Sequence, residues 1–150
     1  MKKFQFRLDR VMEYKKKVEE EKKKELFTAR ENLRLAIENL KKLMKERKDI
    51  MDTLKNFQRD DIKINHVLLY LNYLYALNEK IKLKKIEVSQ KEREVAEKEK
   101  ELIEARKEVK VLENLREKRY QDYLQEVKRK EQFMEDEFAK FTYLRREYGG

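Results

Sequence analysis

The chain has no cysteine, no proline and one histidine, His66, and its two glycines, Gly149 and Gly150, close the sequence. Each absence removes a class of function. Without cysteine, and with a single histidine, the usual ligand sets for transition metals are missing. A phosphate-cradling loop needs glycines so that backbone N–H groups can approach the phosphate, and none stands before position 149. Sheets and tight hairpin turns need residues that accept positive φ or end a ladder, and these too are lacking. No apolar stretch is long enough to cross a membrane: the most apolar run, Val67 to Leu77, spans eleven residues, whereas a span needs about 18. The opening residues are basic with no apolar run behind them, unlike a secretory signal. Carboxylates abound, but on exposed helices beside lysines they gain no shifted pKa. The sequence therefore predicts a cytoplasmic, non-enzymatic protein with no catalytic residue, cofactor, metal or small-molecule substrate.

What is present is charge: 47% of the 150 residues are Asp, Glu, Lys or Arg, with a net charge of +9. A breaker-free chain rich in Glu, Lys, Leu and Arg reads as long helix or coiled coil. Apolar residues recur at three-four spacing, the mark of a helical seam. The first segment runs Leu8, Val11 and Val18, then, after a four-residue phase shift, Leu26, Ala29, Leu33, Ala36, Leu40, Leu43, Ile50, Leu54 and Phe57. The second runs Val67, Tyr70, Leu74, Leu77, Ile81, Val88, Val95, Leu102, Ala105, Val109 and Leu112. A one-residue skip near Arg116 to Tyr120 then leads to Leu124, Val127, Met134, Phe138 and Phe141.

Between the segments, Asp60, Asp61 and Asn65 are turn and capping residues. The expected fold is all-α: a two-helix antiparallel coiled-coil hairpin forming one domain over 1–150. Helix one covers about 3–58, the turn about 59–65 and helix two about 66–147, with Asn65 or an Asp capping the second helix. Placing Phe57 opposite Val67 sets a register in which partners' numbers sum to about 124. Ile50 then meets Leu74, Leu43 meets Ile81, Ala36 meets Val88, and Phe4 lies near Tyr120. Lys84, Lys91 and Lys98 fall on the seam, their methylene stems covering leucines while the ammonium groups reach water. Residues from about 121 onward are left as an overhang with an apolar seam and no partner in the chain.

Three features rise above a plain coiled coil. Tyr70, Tyr73, Leu74 and Leu77 lie in an aromatic stretch that reads either as a thicker apolar cap beside the turn or as a docking patch. The overhang residues Leu124, Val127, Met134, Phe138 and Phe141 form a bare stripe suited to a partner. Basic residues gather at the terminal pole: Arg7, Arg10, Lys15, Lys16 and Lys17 on the first helix, and Arg116, Arg119, Lys128 and Arg129 on the second. Acidic residues alternate through this pole, which disfavours a nucleic-acid groove and favours an acidic protein.

The opening Phe4-Gln5-Phe6-Arg7-Leu8-Asp9-Arg10-Val11 resembles the start of the flagellar FliJ family. The stretch Leu102 to Leu115, with Ala105-Arg106 and Leu112-Glu113 inside it, is similar to that family's LxxARxxxxxLExL segment, and Lys118-Arg119, Glu131 and Asp136-Glu137 follow its tail. The resemblance implies a stalk-like component of the flagellar type III export apparatus, peripheral to the inner membrane at the flagellar base. Implied partners are the export ATPase hexamer, the membrane export gate and export chaperones. Tyr73 and Leu77 match the family's gate-contacting pair, while Lys80 and Lys84 depart from the small and histidine residues expected next. A stalk of a virulence-type secretion or rotary ATPase, or a generic coiled-coil scaffold, are the alternatives.

Overall fold

The computed structural model describes residues 2–57 and 64–149. It is an all-α helical hairpin of two long helices, with no strand among the described residues. Helix α1 spans Asp9–Phe57 (49 residues) and α2 spans Ile64–Tyr148 (85 residues). Of the expected turn, positions 59–63 lie outside the described residues. Ile64 and Asn65 already belong to α2, so Asn65 is not a cap ahead of the helix. In a first turn the backbone N–H groups lack helical partners anyway, so a poor helix former costs little there.

Helix one was expected from about residue 3, but α1 begins at Asp9. Residues 2–6 are non-helical and lead into a turn closed by the Asp9 N–H donating to the Phe6 carbonyl at 3.1 Å. The spacing of Phe4 and Phe6 explains this. Two residues apart on a helix they would point about 200° apart, whereas in extended chain they share a face. Only the extended form lets both rings turn towards α2. Asp9 in the first turn then complements the positive end of the helix dipole.

Contacts divide the molecule into two compact units, each built from both helices. Unit 1 is Met1–Glu19 with Ala105–Gly150, and unit 2 is Glu20–Glu104.

In unit 2, Ile50, Leu77 and Ile81 form the buried cluster, with Leu40, Leu43, Leu54, Tyr70 and Leu74 packed against it. Ile81 is the most enclosed side chain, 2% exposed. Ala29 and Ala36 are buried, and side chains this small leave room for close packing of the two helices. The expected lysine stretch is confirmed: the Lys84, Lys91 and Lys98 side chains are only 22%, 28% and 33% exposed, and each pairs with a glutamate. Across the seam, Lys98 binds Glu25 at 3.3 Å and Lys22 binds Glu101 at 3.4 Å.

In unit 1, Phe6, Met12, Ala105 and Val109 are buried. Lys15 pairs with Glu108 at 2.9 Å, Arg106 with Glu19 at 3.5 Å and Arg116 with Asp9 at 3.5 Å. The pairs Lys22–Glu101, Lys15–Glu108 and Glu25–Lys98 each sum to 123, the antiparallel register read from the sequence.

The phase shift expected between Val18 and Leu26 is absent. Met12, Lys15, Glu19, Lys22, Leu26 and Ala29 keep one three-four phase, so Met12 is buried and Val11 is 43% exposed. The charged residues on this phase stay there because each finds an opposite charge on α2, which a search for apolar periodicity alone overlooks.

Candidate functional site

Three surfaces carry the residues that the sequence singled out. The first is the terminal pole of unit 1. Here the Phe4 ring meets Tyr120 edge-on at 5.2 Å and Tyr123 at 5.6 Å, while the Arg116 guanidinium lies 5.6 Å from the Phe4 ring centre. The Tyr123 hydroxyl donates to the Lys2 carbonyl at 2.8 Å. This clamp holds residues 2–6 along α2 as a strap, beside a cavity of about 610 Å³ lined by Phe4, Phe6, Leu115, Arg119 and Tyr123, among others. The pairing of Phe4 with Tyr120 follows from the sequence register. Tyr123, which takes the seam position expected for Leu124, does not.

Of the nine basic residues assigned to this pole, two are already engaged. Arg116 serves both Asp9 and the Phe4 ring. Lys15 bonds Glu108, which holds its pKa above the ordinary lysine value, through the hydrogen bond first and the adjacent charge second. Arg7, Arg10, Lys16, Lys17, Arg119, Lys128 and Arg129 pair with no carboxylate among the described residues. These seven leave a positive surface open to a partner.

The second surface is the far end of α2. Extended chain advances about 3.3 Å per residue against about 1.5 Å in a helix, so the strap reaches further along α2 than a helix of equal length. Lys2 and Lys3 border a cavity with Val127 and Lys130, and the overhang therefore begins near residue 128 rather than 121. No interhelix hydrogen bond or ion pair among the described residues lies beyond Tyr123. From there Phe133, Met134, Phe138, Phe141, Leu144 and Tyr148 are all at least 52% exposed. Met134, Phe138 and Phe141 continue the seam phase past the point where its partner stops. Leu124 is 40% exposed, and Val127 is half-buried.

The third surface is the beginning of α2, in unit 2. The patch expected from Tyr70, Tyr73, Leu74 and Leu77 is not a continuous exposed face. Leu77 belongs to the buried cluster, Leu74 packs on it, and Tyr70 stacks edge-on against Phe57 at 5.2 Å. These three sit at seam phase, so the hairpin uses them itself. Tyr73 alone is well exposed, and its hydroxyl donates to the Glu46 carboxylate. That bond raises the Tyr73 pKa, since ionisation would break it and set two negative charges side by side. Beside it, Glu46, Asp49, Thr53, Leu69, Asn72 and Tyr73 line a groove of about 640 Å³.

No group of His, Cys, Asp and Glu able to hold a metal occurs among the described residues. No helix there is long and apolar enough to cross a membrane.

Geometry of this kind defines a class: a long helical hairpin with an exposed apolar stripe and unpaired cations along its terminal part. The family model described as flagellar FliJ protein matches residues 4–148, and the chain belongs to that family. Among solved structures, CT670 of Chlamydia trachomatis, described as a YscO homologue, aligns over 97% of this chain and 98% of its own. It has 19% identity and a TM-score of 0.57, a likeness of fold. No curated protein matches the chain.

Proposed function

We propose that this chain is a non-catalytic, stalk-like component of the flagellar type III export apparatus, working at the cytoplasmic face of the inner membrane. Its terminal pole binds the export ATPase hexamer, and the Tyr73 side of α2 meets the membrane export gate. Membership of the FliJ family supports the export role. The observation that carries the ATPase contact is the unpartnered end of α2. Phe138 and Phe141 stand bare in water on the same helix as the unpaired cations Lys128 and Arg129, with the remaining unpaired cations further back along the pole, and an exposed apolar stripe of that length marks an interaction surface. An acidic ring with an apolar lining would satisfy both features, and a narrow helical end fits such an opening. Export chaperones are further candidates for the overhang.

The test is direct. The full chain is mixed with the cognate export ATPase, and hexamer formation and ATP turnover are followed. Both should rise with the native chain, fall with Phe138→Glu, and fall with the paired reversal Lys16→Glu and Lys17→Glu, since neither lysine holds the hairpin together. If native protein changes neither quantity, the ATPase assignment is wrong. Tyr73→Ala should leave this assay untouched and weaken binding to the cytoplasmic domain of the gate; unchanged gate binding would remove Tyr73 from that contact.

A further inference from the structure

Unit 2 has a second exposed flank, on the side away from Tyr73. At about 100° per residue, Leu68, Leu71 and Tyr75 fall within an arc of about 60° on α2, roughly 120° from the seam residues. They are 52%, 46% and 70% exposed. On α1, Met44 and Met51 share one phase, about 90° from the seam, and are likewise exposed. Arg47 is a half-buried seam position at the edge of the Met44–Met51 row, and Asn78 lies in the Leu71–Tyr75 row. The Arg47 guanidinium donates to the Asn78 side-chain carbonyl at 3.3 Å, so the two rows border one another on a single side. Two neighbouring rows at helical spacing make a shallow valley along the pair, the surface into which a third helix packs.

The charges around the valley say what kind of helix. Arg47, Lys48 and Lys85 share its phase, and none pairs with a carboxylate among the described residues. Glu79, at the outer margin, is held by Lys82 at 3.3 Å. Glu46 and Asp49 belong to the opposite flank, in the Tyr73 groove. The flank away from Tyr73 is thus apolar with cations along it, and carboxylates, Asp52 and Glu79, stand only at its outer margins. Two methionines suit an apolar helix face, since the unbranched thioether adapts to its neighbour.

We infer that the flank formed by Met44, Met51, Leu68, Leu71 and Tyr75 is a docking site for an amphipathic helix with acidic margins, on a protein other than the occupant of the overhang. This goes beyond the stalk reading and places two partners on separate surfaces.

The probe is a labelled peptide of about 18 residues, about 27 Å as a helix, with leucines at three-four spacing and glutamates on both margins. A control peptide carries lysines in place of the glutamates. Binding to the full chain is measured by fluorescence anisotropy. The glutamate peptide should bind at least about tenfold more tightly than the lysine peptide and weaken with added salt. Leu71→Glu and Lys48→Glu should each weaken it about tenfold or more, with helicity by circular dichroism unchanged, because both side chains are exposed and outside the seam. Tyr75→Glu serves where Leu71→Glu loses helicity. Phe138→Glu should leave peptide binding intact while abolishing the ATPase response, which separates this site from the overhang. Equal binding of both peptides, loss through Phe138→Glu instead of Leu71→Glu, or a chain that sediments as a dimer undone by Leu71→Glu would overturn the inference.

Discussion

Phe4 is the residue whose removal tests the strap most sharply. Its ring makes edge and tilted contacts with Tyr120 and Tyr123 and receives the Arg116 guanidinium. Aromatic pairs contribute about 0.5–1.5 kcal/mol beyond area burial, and a cation over a ring at an exposed site about 0.5–1 kcal/mol. Phe4 is only half-buried, so the low end of each range applies; with about 0.5 kcal/mol more for the ring area returned to water, Phe4→Ala should cost about 2 kcal/mol. That figure belongs to detachment of residues 2–8, since the helices pair through other residues from Asp9 onward. At about 1.4 kcal/mol per tenfold, the detached population should rise about 30-fold. Tryptic cleavage after Arg7 reads that population, because proteolysis follows the open fraction when opening is fast. The first cut should be about 30-fold faster in Phe4→Ala, with the thermal midpoint nearly unmoved, and Phe4→Leu should fall between. A cleavage rate within about threefold of the native chain's would show that Phe4 does not clamp the strap, and would leave Phe6 to hold it alone.

Other outcomes follow from the same contacts. Ile81→Ala removes the most enclosed side chain and should destabilise unit 2 by about 2–5 kcal/mol in chemical denaturation, whereas Ile86→Ala, at 55% exposure, should stay within about 0.5 kcal/mol; similar losses would place the seam elsewhere. Against the expectation that carboxylates beside lysines keep their ordinary values, Glu25 has its pKa lowered, chiefly by its hydrogen bond to Lys98, then by that to Lys22, because the lysines are held in place across and along the seam. Both lysines have theirs raised, chiefly by Glu25. A depressed carboxylate contributes stability above the unfolded value of 4.5 and loses it as pH falls through the folded value; a raised lysine contributes below 10.5 and loses it as pH rises. The difference in thermal midpoint between the native chain and Glu25→Gln should therefore be flat between these limits and shrink beyond both, and a gap that persists at pH 3 would exclude the network.

How far the sequence foresaw this can be judged residue by residue. The antiparallel register was legible because Phe57, Ile50, Ala36 and their partners repeat at helical spacing, and spacing is local information. The lysines at 84, 91 and 98 were legible for the same reason. Seam phase from Met12 to Lys22 was not, because Lys15, Glu19 and Lys22 occupy it as ion pairs, and their partners lie about 80–95 residues away. The strap was missed because a pattern of Phe4 and Phe6 two apart is too short to outweigh helical neighbours, and only Tyr120 and Tyr123 show what it is for. In the aromatic stretch, composition drew attention to Tyr70, Leu74 and Leu77, but a wheel assigns these to the seam. The large side chains left facing water are Leu68, Leu69, Leu71, Tyr73 and Tyr75.

That distribution has an energetic consequence. The chain places alanines and lysines along much of its own seam while leaving Phe133, Phe138, Phe141, Leu71 and Tyr75 in water. Moving such side chains from surface to seam would bury more apolar area at about 25 cal/mol per Å², so the arrangement keeps the isolated hairpin less stable than its composition allows. A hairpin of this kind gains stability when a partner covers the bare stripes. A ligand that binds only the folded state adds about 2.7 kcal/mol at a hundred times its dissociation constant, and each kcal/mol moves the midpoint of a chain this size by about 2–4 °C. Saturating export ATPase should therefore raise the thermal midpoint of the native chain by roughly 5–10 °C. The acidic helical peptide should do the same at its own saturation, and the two shifts should add, since Phe138 and Leu71 lie in different units. Shifts that fail to add would show that the two partners compete for one surface.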